Sequence, residues 1–342
     1  PITDEQREVT LTSANAINKI QNAVEYGEEK KQNKPKQILS DLAPKFLDNF
    51  QNLNSKDALK ILTNLQESLE EKEIQLYFSD KKTEQTMQDF NWGGKILDTK
   101  PEQDYLMVVN TNIGGQKSDA EIKQSISHES IIEKDGSIIN TVTITRQHNG
   151  KIGEKMYGQP NINYIRMYVP QASQLISAKG FTRPDEQYFK APKKWTEKDL
   201  SLALYEKNEK IDNGSGTRIT KEFGKSVFGN WTVTQPGKTS QVEFSYRLPF
   251  KVITKKEKKD NKEIILNSIQ NNAPKSRYQL IYQKQSGTNS KFESQIIYPD
   301  KWMPIWQQGD NIVLAKNGIA IQPTIMNRDK IWNLMMIKTT NK

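Results

Sequence analysis

The hydrophobic period of this chain changes once, near Asp104, and that change decides what its two parts can fold into. Before it, apolar residues recur at helical spacing; after it, they alternate with polar ones over short runs. Ala16, Ile17, Ile20, Ala23 and Val24 mark a first helix, with Thr12 or Ser13 offered as its N-cap and Gly27 as its end. Pro35 suits the first turn of a second helix, whose apolar face is Ile38, Leu39, Leu42, Phe46, Leu47 and Phe50. Pro44 inside that pattern predicts a kink or break. Ser55 is placed to cap a third helix, with Ala58, Leu59, Ile61, Leu62, Leu65 and Leu69 inward. Residues 74–78 alternate and read as a short strand, and residues 83–90 as a fourth helix stopped by Trp92-Gly93-Gly94. These apolar faces exceed what three short helices bury among themselves, so part of the surface is expected to meet another chain or the first β module.

From Asp104 onward the pattern is that of strands between turns. Tyr105–Val109 is an apolar run turned by Gly114-Gly115. Lys134-Asp135-Gly136 separates two alternating segments and signals a hairpin. Ile165–Val169 runs into Pro170, and Gln235-Pro236-Gly237-Lys238 is a type II turn candidate. The expectation is an α+β chain: a helical region over 1–100, then antiparallel, immunoglobulin-like β-sandwich modules. One module spans 101–250 with an inserted excursion over 183–222, and 251–342 forms a second module or continues the first. The polar stretches 189–213 and 255–261 are expected to project from the β body.

Composition narrows the chemistry. There is no Cys, which removes disulfides, thiolate metal sites and a Cys nucleophile. His128 and His148 are the only histidines, too few for a multi-histidine metal site. Each reads as a surface or strand-edge residue, and no metal or cofactor is expected. The net charge is +9, yet 8 of the 50 basic residues are Arg and the lysines are dispersed among acids, which argues against nucleic acid as a partner. No apolar run approaches the ~20 residues of a membrane span. Trp302 and Trp306, four apart, are the candidate aromatic binding platform; packing in the core competes with that reading. No catalytic constellation is evident.

Several strings in this order resemble a bacterial family described only as a domain of unknown function, numbered four thousand and twelve. They include Val9-Thr10-Leu11-Thr12-Ser13-Ala14-Asn15, Asn91-Trp92-Gly93-Gly94, Asp104-Tyr105-Leu106-Met107-Val108-Val109, Tyr164-Ile165-Arg166-Met167-Tyr168-Val169-Pro170 and Gln235-Pro236-Gly237-Lys238-Thr239. The resemblance implies an extracytoplasmic cell-surface protein of a bacterium, anchored through a membrane segment upstream of Pro1. The opening stretch is also similar to the later part of the LytR–CpsA–Psr ligase domain, whose arginines grip a lipid pyrophosphate. Leu11-Thr12 and Ala16 fit that pattern, whereas Lys36-Gln37 stands where an Arg-Gln belongs, with Lys31 and Lys34 nearby. Lys31, Lys34 and Lys36 are thus the phosphate-binding candidates, although Lys lacks the planar fork of Arg. Two functions follow as expectations. The first is a non-catalytic envelope protein whose β modules bind a surface polymer or a protein. The alternative is part of a transferase attaching glycopolymers to the cell wall.

Overall fold

The computed structural model describes residues 2–5, 7–51, 53–189, 195–197, 199–252, 276–300, 302–315 and 318–338. The charged run 255–261 lies outside them. The chain divides into two units, residues 1–69 and 70–342.

The first unit opens with an antiparallel ribbon, β1 (Ile2–Asp4) and β2 (Val9–Leu11), that the helical reading did not anticipate. Helices α1 (Ala16–Tyr26), α2 (Glu28–Lys31), α3 (Gln37–Gln51) and α4 (Ser55–Glu70) follow. Asn15, rather than Thr12 or Ser13, holds the N-cap position of α1. Pro44 sits inside α3 without ending it. Leu11, Ile38 and Leu42 form the core, with Val9, Ile20 and Val24 packed on it. Arg7 ties the ribbon to the helices through Asp4, Glu29 and Asp41. Ile17, Leu39, Phe46, Leu47, Leu59, Leu62 and Leu65 remain exposed, so the helices do not close over all of their apolar residues.

The second unit begins with α5 (Lys81–Asp89), capped by the Asp80 carboxylate, which accepts from Thr83 N at 2.8 Å. Residues 74–78 are irregular rather than a strand. Strands β3 (Asp104–Asn112), β4 (Ile122–Ile132), β5 (Ser137–His148), β6 (Asn161–Pro170) and β7 (Gln174–Lys179) come next. After the short α6 (Leu202–Tyr205) follow β8 (Lys207–Ile211), β9 (Arg218–Glu222), β10 (Lys225–Thr234) and β11 (Thr239–Lys251). The last are β12 (Ser276–Tyr282), β13 (Lys291–Ile297), β14 (Trp302–Gln308), β15 (Ile312–Ala315), β16 (Gly318–Ile325) and β17 (Lys330–Lys338).

They make an eight-stranded sheet, β14-β17-β12-β3-β6-β10-β9-β8, and a seven-stranded sheet, β15-β16-β13-β4-β5-β11-β7. The antiparallel expectation is corrected here: both sheets are mixed. β12 runs parallel to β3 and β13 parallel to β4, at the centre of each sheet. These pairs join segments more than 160 residues apart, and no turn signal marks such a pairing. Strands from 276–338 therefore complete the same two sheets as strands from 104–251. Within the excursion, β8 and β9 extend the eight-stranded sheet at its edge. The β4–β5 hairpin turns at Gly136, whose φ of +85° suits glycine and where a Cβ would sit 2.2 Å from Val252 O.

Alternation sends one face of each sheet into a shared core. Leu106, Val108, Met167, Phe228 and Leu280 from one sheet meet Ile126, Val142, Ile144, Phe244 and Phe292 from the other. Phe292 stacks on Trp332 with ring centroids 5.4 Å apart.

Candidate functional site

Two polar clusters interrupt the layer between the sheets, and they differ in access. The first is sealed. Asp104, in phase with Leu106 and Val108 on β3, is fully buried; its Oδ2 lies 2.6 Å from Tyr278 OH and accepts from Asn140 Nδ2 at 2.7 Å. Ser130 Oγ donates to Asn140 Oδ1 at 2.6 Å and touches Tyr278 OH at 2.7 Å. The row of oxygens Asp104–Tyr278–Ser130–Asn140 thus has three short contacts. With Asp104 ionised, Tyr278 and Ser130 supply two protons for them; a protonated Asp104 supplies the third. Burial accordingly pushes the Asp104 carboxyl up to about 6, against the opposing hydrogen bonds of Tyr278 and Asn140.

His128 belongs to the same cluster, with Nδ1 2.8 Å from Ser294 Oγ. The distance suits a base beside a nucleophile, but the environment does not. His128 and Ser294 are buried, and desolvation lowers the imidazole to about 3. The strand-edge expectation for His128 is therefore corrected: it shares the inward phase of Ile126 and Ile132. His148 is buried too. Its Nε2 donates to Gln159 O at 2.9 Å and its Nδ1 accepts from Gly150 N at 3.1 Å, so both nitrogens are spent on holding a loop.

The second cluster opens to solvent as a cleft of about 930 Å3. Arg146 continues the inward phase of Val142 and Ile144 past the end of the apolar core. Its Nη1 donates to Asn110 Oδ1 at 2.6 Å and Gln124 Oε1 at 2.7 Å. Its Nη2 donates to Asn161 Oδ1 at 2.9 Å and Asp119 Oδ1 at 3.3 Å. Four of five N–H groups are used; the buried Nε–H has no acceptor among the described residues. Desolvation lowers this guanidinium to about 10, so it stays charged at neutral pH. Residues 285–290 form one rim. Gln285 pins that loop to β3 by accepting from Asn110 N and donating to Asn110 O, each at 2.9 Å, and Ser290 Oγ accepts from Gln124 Nε2 at 2.9 Å.

The cleft runs onto the outer face of the seven-stranded sheet, where a second depression of about 360 Å3 shares Ser125, Thr145 and Lys291 with it. The register explains its shape. Ser125 and Ser127 on β4 lie beside Thr145 and Thr143 on β5. Lys291 and Glu293 flank them from β13, and Gln241 and Glu243 from β11. Short hydroxyl side chains line the middle and long polar ones the banks, which leaves a trough. Among the described residues, Ser125, Ser127, Thr143, Thr145, Lys291 and Glu293 make no side-chain hydrogen bond or ion pair.

The residues singled out in the sequence lie elsewhere. Lys31, Lys34 and Lys36 are exposed, and Lys31 pairs with Glu28 at 2.7 Å. Trp302 is buried in the core while Trp306 is exposed, beyond a register shift in β14; the two do not form one platform, which corrects that expectation. Arg146 is not among those residues, although a lone Arg in the inward phase of an apolar strand is itself a signal. Among the described residues there is no group of three or more His, Asp or Glu placed to hold a metal. No helix of the described residues is long and apolar enough to cross a membrane.

No family model matches the chain, and no curated protein matches it. Among solved structures it is similar to a proposed nutrient-binding protein of Legionella pneumophila, at TM-score 0.33 and 8% identity over 68% of this chain and 71% of that one. An M1 zinc metallopeptidase of Deinococcus radiodurans gives TM-score 0.26 and 9% identity over 62% of this chain and 42% of the enzyme. A proposed protease of Parabacteroides distasonis gives 0.25 and 11% over 65% and 37%. The chain spans less than half the length of the latter two. Likenesses of this size carry no functional argument.

Proposed function

We propose that this chain is a non-catalytic, extracytoplasmic cell-envelope protein whose β body, acting as a sandwich-type module, holds a surface glycopolymer in the groove of the seven-stranded sheet. The observation that supports the reading is the continuity of the trough with the end cleft, along a lining of hydroxyl and amide groups. The hydroxyls of Ser125, Ser127, Thr143 and Thr145 and the banks of Gln241, Lys291 and Glu293 have hydrogen-bonding capacity that no described residue uses. A polymer rich in hydroxyls can replace water on such a surface over several residues at once. The envelope placement rests on the family resemblance.

Affinity electrophoresis through gels containing soluble polysaccharides tests this. The protein is expected to be retarded by at least one of them. Thr143→Arg, which fills the trough from its floor, is expected to abolish the retardation while leaving the thermal midpoint unchanged. Equal mobility in every gel, or retardation indifferent to Thr143→Arg, would contradict the reading.

A further inference from the structure

The end cleft differs in charge from the trough it joins. Its lining carries Lys123, Arg146 and Lys291 against one carboxylate, Asp119. Lys123 and Lys291 are exposed and have no ion-pair partner among the described residues. Asp119 is already committed, accepting from Asn161 Nδ2 at 2.9 Å and from Arg146 Nη2 at 3.3 Å. Buried Arg146 thus stands among the lining residues together with two ammonium groups that have no ion-pair partner among the described residues. At about 930 Å3 the cleft is far larger than a lone inorganic anion requires. The rim is held in place by Gln285, Thr288 and Ser290, so the cavity does not depend on a ligand to form.

From this we infer that the cleft receives an acidic sugar unit, one bearing a carboxylate or a phosphate, of the polymer whose neutral hydroxyls lie along the trough. Lys123 and Lys291 contact the oxyanion, and Arg146 backs them with its positive field. Coulomb attraction in a partly walled cleft exceeds that on an open surface, because less water screens it. The inference rests on the groove reading above and adds the ligand's charge and the end of the groove that reads it.

Isothermal titration with three probes of similar length distinguishes the possibilities: oligogalacturonate for the carboxylate, oligo(glycerol phosphate) for the phosphate, and maltodextrin as the neutral reference. At least one acidic probe is expected to bind about tenfold or more tighter than maltodextrin, with an advantage that shrinks as salt rises. The double variant Lys123→Gln/Lys291→Gln is expected to remove about tenfold of that affinity and to weaken maltodextrin by no more than about twofold, since Lys291 also stands on the bank of the trough. The stronger acidic probe identifies the source of the oxyanion. Equal binding of acidic and neutral probes, or acidic binding that the double variant leaves intact, overturns the inference while the groove reading stands. No binding of any probe overturns both. Because both lysines are exposed, a loss in the double variant is read against an unchanged thermal midpoint.

Discussion

The sealed cluster around Asp104 and the open cluster around Arg146 sit in the same layer between the same two sheets. Each places a charged or ionisable group in the inward phase of a strand. At Asp104 every neighbour is a protein group, and one proton decides whether the row of oxygens is complete. At Arg146 four donors are spent inward, while the surrounding wall opens to solvent and carries lysines with no ion-pair partner among the described residues. The difference teaches that a buried polar group is informative about function only together with its access. A network closed on all sides specifies packing, and one that ends at a cavity can be completed by a ligand.

Substitutions break the comparison in opposite ways. The largest expected effect on stability is Asp104→Ala, which leaves Asn140 Nδ2 and Tyr278 OH facing a small cavity. Asn140 keeps Tyr246 OH at 3.2 Å and Tyr278 keeps Ser130 at 2.7 Å, so the lost hydrogen bonds and the cavity together cost on the order of 3 kcal/mol, read as a lower urea midpoint. Affinity of the folded fraction for a groove ligand should not change.

The pH dependence comes next. The folded Asp104 carboxyl, at about 6, lies above its ordinary value of 3.8, so the folded state holds this proton more tightly than the unfolded chain does. Its contribution is fully present below about pH 4 and is lost as pH rises toward and through 6. Between pH 4 and 7 the wild type should lose roughly 2 kcal/mol relative to Asp104→Asn, whose amide does not titrate. Parallel pH curves for the two proteins would show that Asp104 is not the titrating group. A smaller effect is expected for Tyr278→Phe, about 1–2 kcal/mol, because Ser130 keeps its bond to Asn140. Smallest of all for stability is Lys123→Gln/Lys291→Gln, within about 0.5 kcal/mol, as these side chains are exposed and have no ion-pair partner among the described residues.

The same contrast explains what the sequence made legible. The change of period at Asp104 marked the start of the β body, and Asp135-Gly136 marked its hairpin. The helical faces around Ile20, Ile38 and Leu42 were readable because they are local. The central parallel pairs β3–β12 and β4–β13 were not, since register between distant segments leaves no local mark. Trp302 and Trp306 looked equivalent in sequence; a register shift in β14 sends one inward and leaves the other exposed. Asp104, His128 and Arg146 were each visible as a polar residue in an apolar phase. Which of these buried residues borders an open cleft depends on where the second sheet covers the first, and that is a tertiary fact. The hydroxyls of Ser125, Ser127, Thr143 and Thr145 read as ordinary outward positions until the long side chains of β11 and β13 were placed on either side.

Hydrogen–deuterium exchange with and without oligogalacturonate tests the central claim, that the open end of the layer and not the sealed one meets a ligand. Slower exchange is expected at residues 122–125, 145–147 and 285–291, with no change at 104–106, 138–140 and 276–280. Protection confined to the sealed end, or spread elsewhere with the groove untouched, would contradict the account.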